Sequence, residues 1–164
     1  MIEKSDFSLS FEPVIFQNTE ILILGSLPGR KSIELNQYYG HSRNRIWSIL
    51  SYLKEKETPT NYDDKKVFLN LLKIGLWDVA RSAIRKGSLD SNIKEERPND
   101  IDLLTKTNPS IKVIGFNGKK SEQMFYKFFK LNPDIKYVSL PSSSPANMAI
   151  NFENICEKWS QLFL

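Results

Sequence analysis

The chain has 164 residues, 40% of them hydrophobic and 26% charged, which suits one globular domain over residues 1–164 with a core of its own. No apolar run approaches the roughly 20 residues of a membrane-spanning helix, so no membrane association is expected. One cysteine, Cys156, rules out an internal disulfide; with a single histidine beside it, a zinc site or four-cysteine cluster has too few ligands, and chemistry without metal or cofactor is expected.

The net charge of +4 admits a polyanionic partner without demanding one. The N-terminal "MIEKSDFSLSFEPVIF" lacks the long apolar region of a signal peptide, and a cytoplasmic location is expected. "ILILGS" (21–26) is an apolar run closed by glycine, the pattern of a central buried strand. "RIWSILSYLKEK" then carries Ile46, Ile49, Leu50 and Leu53 at helical spacing. "DDKKVFLNLLKIG" predicts another helix, closing on Gly75 as its C-terminal cap. "LWDVA" (76–80) reads as a second strand, and "RSAIRKGSLDSNIKEERP" as a polar connection. An Asn or Asp cap opens the helix in "NDIDLLTKTNP". "IKVIGFNG" (111–118) is a third strand, "KKSEQMFYKFFK" its helix, and "IKYVSLPS" (135–142) a fourth strand. "FENICEKWSQLFL" is an amphipathic last helix, in which burial is the simplest role for Cys156.

Strands alternating with helices predict an α/β fold, a three-layer α/β/α arrangement with a central, mostly parallel four-stranded sheet. Ligands of such sheets bind at the carboxyl ends of the strands. Here those ends carry "GSLPG" and "YYGHSRNRIW", then "WD", "FNG" and "LPSSSPAN". Each has an ordinary reading alone. "GSLPG" is a tight turn and neither a Walker loop nor GxGxxG, so it lends a nucleotide cofactor no support. "SSSPAN" is a capping turn, "FNG" a strand-to-helix turn, His41 a surface histidine, and Trp47 and Trp77 core residues. Four such loops on one rim predict a site. The pairs Arg30-Lys31, Arg85-Lys86 and Lys119-Lys120, with Arg43, Arg45 and Arg81, read as solvated charge unless they converge there.

In order, "GSLPG…QYYGHSRNRIW…GLWDV…GSLD…FNG…LPSSSPAN" resembles the uracil-DNA glycosylase superfamily, and most closely its hypoxanthine-DNA (deoxyinosine) glycosylase branch, over residues 21 to 150. The resemblance implies a monofunctional enzyme that hydrolyses the N-glycosidic bond of a deaminated base in DNA, leaving an abasic site. Hypoxanthine is the expected base, with uracil and xanthine open; a monomer suffices. Two positions depart from the wider pattern. Leu27 stands where many members carry Asp or Asn to hold or activate water, and Leu140 where many carry histidine. The branch is similar in lacking both, and implies that Asn44 supports catalysis, with Asn117 a second candidate.

Cleaving such a bond builds positive charge on the sugar. The Asn44 amide is no base, so it can position water or donate to the leaving base. His41, whose ring nitrogens can donate to the base or a phosphate, ranks below it. The expected base pocket comprises Gly25, Ser26, Leu27, Pro28 and Gly29, with Tyr39 and Phe116 as ring partners or as packing. Asp78 accepts from the N1–H that deamination creates and repels the N1 of adenine; alternatively it caps a turn. Ser142, Ser143, Ser144, Pro145, Ala146 and Asn147 are expected against the DNA backbone, with Ala146, Asn147 or Met148 filling the gap a flipped nucleotide leaves. Arg43, Arg45, Lys119 and Lys120 supply cationic attraction. Two rivals remain: a hydrolase of free nucleosides, and a lesion-binding protein that does not cut.

Overall fold

A computed structural model describes Glu3 and residues 6–164; Met1, Ile2, Lys4 and Ser5, part of the stretch read for a leader, lie outside the described residues. In chain order the elements are β1 (Phe7–Leu9), β2 (Ile21–Gly25), α1 (Arg30–Leu35), α2 (Ile46–Leu53), α3 (Tyr62–Leu72), β3 (Ile74–Asp78) and β4 (Ala80–Arg85). They continue with β5 (Ile93–Pro98), α4 (Ile101–Thr107), β6 (Val113–Asn117), α5 (Lys119–Phe128), β7 (Lys136–Leu140) and α6 (Phe152–Trp159), with 3-10 turns at Asp90–Asn92 and Ser160–Phe163. Among the described residues no helix is long and apolar enough to cross a membrane.

The four strands read from the apolar runs form one sheet in the order β3-β2-β6-β7, every pairing parallel. All five residues of β2 are buried, because both faces of its sheet are covered. Alternation along the strand sends Ile21 and Ile23 into a cluster with Trp47, Leu50 and Phe68 of α2 and α3 and with Trp159. Leu22 and Leu24 face the opposite cluster, with Met124 and Phe125 of α5 and Ile101 of α4. Each of these fully buried side chains contributes about 1.5–3 kcal/mol relative to exposure. Cys156 lies within the first cluster, 1% exposed. The cap expected for α4 is Asp100, which accepts from the Leu103 N–H; Asn61 and Asn151 cap α3 and α6 in the same way.

Two expectations fail. The "polar connection" over 81–98 is a β4–β5 hairpin, which with β1 makes a three-stranded antiparallel sheet in the order β1-β4-β5. An antiparallel sheet can leave one face in water. Ala83 and Ile93 point into the second cluster while Arg81, Lys94 and Glu95 stay exposed, so the segment looks polar in sequence. Gly75 is likewise no helix cap. The helix closes two residues earlier on Lys73, in the left-handed region with φ 60°, and Gly75 lies inside β3. Its smallness is what matters, since a Cβ there would meet the Val14 carbonyl at 2.9 Å, where the Val14–Leu76 bridge crosses.

Helices α2 and α3 follow β2 onto one face, and α5 follows β6 onto the other. The loops leaving these adjacent strands therefore diverge, opening a crevice at their carboxyl ends. Because the Val14 oxygen is backbone and cannot swing aside, Gly75→Ala is expected to lower stability by about 1–3 kcal/mol. Urea unfolding should show a lower midpoint with an unchanged slope; an unchanged midpoint would contradict the packing described.

Candidate active site

The crevice opens into a cleft of about 1240 Å³ lined by the first loop (25–32), Tyr39, His41, Asn44, Asp78, Asn117 and the last loop (139–147). The four strand ends that "GSLPG", "WD", "FNG" and "LPSSSPAN" follow do share one rim.

At its centre, Ser143, fully buried, joins three segments. Its N–H donates to Asn117 Oδ1 at 2.9 Å, and its hydroxyl accepts from Asn117 Nδ2 at 2.9 Å. That hydroxyl then donates to Asn44 Oδ1 at 2.8 Å, which also accepts from the Ile46 N–H at 3.0 Å. A backbone N–H can only donate, so the Ile46 and Ser143 bonds fix which atom of each amide is oxygen. The chain thus runs one way, from Asn117 through Ser143 to Asn44. Both lone pairs of Asn44 Oδ1 are committed, and its Nδ2 hydrogens make no bond among the described residues. Of the two roles open to Asn44, the geometry favours donation over holding water by its oxygen.

Asp78 closes β3 at the cleft floor, opposite Gly25 in register and 3% exposed. Its carbonyl is held by Asn99 Nδ2 at 2.8 Å, but its carboxyl atom Oδ2 is buried without a hydrogen-bond partner. Burial pushes this carboxyl up to about 7; Asp90 adds to the rise and Arg85 opposes it. The Tyr39 hydroxyl, also buried and unpartnered, faces the same spot. A Cβ on Gly25 would stand 2.5 Å from Asp78 Oδ1 and 3.1 Å from the Tyr39 oxygen, so only glycine fits between them. Burial and then Asp78 raise the Tyr39 phenol; the Asn117 amide pulls the other way without meeting hydrogen-bond geometry. Tyr39 thus presents its hydroxyl to the pocket, a role beyond the ring contact expected of it.

The hairpin absent from the sequence reading adds Arg85 and Asp90 to the cleft wall. Arg85, 4% exposed, donates through Nη2 to the Pro28 carbonyl and lies 3.8 Å from Asp90 through Nη1. The Ser26 hydroxyl donates to Asp90 Oδ1 at 2.6 Å. First loop and hairpin are thereby braced together. The one signal in the sequence was "GSLD", which ends in Asp90.

Other expected residues divide. His41 is exposed at the rim, and its Nδ1 accepts from the Arg43 N–H at 3.1 Å, which leaves Nε2 to carry the proton of the neutral ring. Arg43 and Lys119 are exposed cations. Arg45 turns inward instead, donating to the Ile150 carbonyl at 2.8 Å and the Asn147 carbonyl at 2.7 Å, so it clamps the last loop. Lys120 pairs with Glu96 at 3.0 Å, away from the cleft lining. Phe116 is not a ring partner for a base: it is 1% exposed in the second cluster, stacked on Tyr137. Strand alternation points Asn117 at the cleft and its neighbour Phe116 away. In the last loop the Ser142 and Ser144 hydroxyls accept from the N–H groups of Ser144 and Ala146, and Asn147 Nδ2 donates to the Ser142 carbonyl. Both hydroxyl hydrogens stay free.

A family model described as the uracil DNA glycosylase superfamily matches residues 13–162. A hypoxanthine DNA glycosylase from Methanosarcina barkeri is 48% identical over 112 residues, covering 68% of this chain and 71% of its own. Another, from Methanosarcina acetivorans, is 38% identical over 154 residues, covering 93% and 96%. The solution NMR structure of a Methanosarcina acetivorans protein, described provisionally as a uracil DNA glycosylase, is similar at a TM-score of 0.81 and 35% identity over 96% of both chains. The chain belongs to the uracil DNA glycosylase superfamily.

Proposed function

We propose that this protein is a monofunctional DNA glycosylase that hydrolyses the N-glycosidic bond of a deaminated base, with hypoxanthine as its substrate, and leaves an abasic site. It acts as a single-domain monomer in the cytoplasm, without metal or cofactor. One observation carries the reading: the Asp78 carboxyl and the Tyr39 hydroxyl converge over Gly25, and Asp78 Oδ2, an acceptor, and the Tyr39 hydroxyl, a donor, are both buried without partners. Hypoxanthine offers the complementary edge, an N1–H donor beside an O6 acceptor, whereas adenine has both reversed. Burying the wrong edge leaves unpaired polar groups at about 1–3 kcal/mol each, enough for strong discrimination. Uracil and xanthine share this order of donor and acceptor; the relatives named for hypoxanthine support that base among the three. Guanine shares the edge as well, so its exclusion falls to the space beside its 2-amino group.

The base reaches Asp78 by flipping out of the stack. Met148, 55% exposed on the last loop, is an apolar side chain placed to fill the gap. The free hydroxyl hydrogens of Ser142 and Ser144 suit phosphate oxygens, and Arg43 and Lys119 add sequence-independent attraction. As the glycosidic bond breaks, electron density moves onto the base and positive charge onto the sugar. An Asn44 Nδ2–H, already aimed by its bonded oxygen, donates to the departing base; Asn117 holds the chain that aims it, and His41 Nε2–H is a donor at the rim. Preorganised donors of this kind lower the barrier without reorganising during the reaction.

A deoxyinosine duplex incubated with the protein and then treated with alkali should break at the lesion. Binding without breakage, or no interaction at all, would overturn the reading. Asn44→Ala should slow single-turnover cleavage about 10²-fold. Asp78 must be ionised to accept from N1–H, and its carboxyl titrates at about 7. The kcat/KM for deoxyinosine is therefore expected to rise as pH increases to about 7 and to level off above it. Asp78→Asn should abolish that rise and weaken the preference over adenine; the same limb persisting in the variant would refute the assignment.

A further inference from the structure

Hydrolysis also needs an acceptor for a proton of the attacking water, and most polar groups lining the cleft are committed elsewhere. Asn44 Oδ1 takes two hydrogen bonds, and Asn117 Oδ1 takes the Ser143 N–H. The lone pair on His41 Nδ1 takes the Arg43 N–H. Glu122 accepts the Ser139 hydroxyl on both oxygens, at 2.6 and 2.5 Å, and Glu34 pairs with Lys31 at 3.5 Å. Asp78 sits in the dry floor, facing the base edge.

Asp90 differs from all of these. It stands on the turn between β4 and β5, its side chain 41% exposed in the cleft wall. The Ser26 hydroxyl bonds one carboxylate oxygen, the buried Arg85 steadies the same one, and Oδ2 is left without a hydrogen bond. It lines the same cleft as Asp78 and Tyr39, and its charge raises both. A base seated on Asp78 leaves its sugar nearer the mouth, on the level of an exposed carboxylate rather than a buried one.

Resting on the glycosylase reading above, we propose that Asp90 is the catalytic base, its free Oδ2 accepting a proton from the water that attacks C1′ of the flipped nucleotide. The water oxygen bonds to C1′ as the C1′–N9 bond breaks, and that electron pair leaves with the base. One water proton passes to Asp90 and from there to the base or solvent, which restores the carboxylate. A hairpin carboxylate thereby supplies a function that Leu27 and Leu140 cannot, both being apolar and buried.

Asp90→Asn keeps an oxygen for the Ser26 hydroxyl and removes the base, together with the charge that faces Arg85 and raises Asp78. Single-turnover cleavage of a deoxyinosine duplex should fall by about 10²–10⁴-fold. Affinity for the same duplex carrying non-cleavable 2′-fluoro-deoxyinosine should be unchanged, and formate should restore part of the rate to Asp90→Ala. Wild-type rate in Asp90→Asn would overturn the proposal, as would equal losses of rate and binding with no response of the alanine variant to formate. A wild-type protein that fails to cut the duplex would instead defeat the underlying glycosylase reading.

Discussion

Ser143 makes four hydrogen bonds where the last loop meets the end of β6 and the segment before α2, and the orientation of the Asn44 and Asn117 amides follows from them. Two go to Asn117, one to Asn44, and its carbonyl accepts from the Arg45 N–H at 3.1 Å. Three loops far apart in sequence are thus fastened through one buried hydroxyl and its peptide unit. A serine serves because a hydroxyl can accept from one amide and donate to the next in the same instant. Arg45 completes the fastening by clamping the carbonyls of Asn147 and Ile150, which prevents the loop from drifting off the rim. A misplacement of even an ångström here is costly for a reaction that depends on positioned donors.

The site is less settled on its other side. Asp78 Oδ2, the Tyr39 hydroxyl and Arg85 Nε are all buried without partners. Each such group costs about 1–3 kcal/mol of stability. Under the proposed function, the two at the cleft floor would recover that loss when a base of the right edge arrives, and stability withheld from the empty protein would become selectivity in the complex. Gly25 is what permits the arrangement, since any side chain there would collide with the Asp78 carboxylate.

Much of this was legible from residue order. The buried strand at 21–25 and its parallel neighbours show as apolar runs because both their faces are covered, and turn residues mark their ends. Asn44, Asn117 and Ser143 stood in motifs that punctuate those ends. The β4–β5 hairpin was hidden because one of its faces is wet, and with it Arg85, which no local pattern separates from solvated charge, while Asp90 was marked only by "GSLD". Phe116 takes the packing role of the two open to it, because strand alternation turns it away from the cleft and into the second cluster. Arg45 carried no local sign of its partners, which lie more than 100 residues onward. Gly75 looked like a helix end because a glycine needed for close approach and one needed for its backbone angle read the same.

The central claim is that Asn44 acts through an amide held in place by Ser143. The measurement that bears on it most directly is a double-mutant cycle in single-turnover cleavage of a deoxyinosine duplex, using Ser143→Ala, Asn44→Ala and the pair. If the hydroxyl acts by aiming the amide, Ser143→Ala slows cleavage and the double variant is no slower than Asn44→Ala alone. Losses that simply multiply would mean that the two residues work independently and that the chain of hydrogen bonds does not orient the catalytic group.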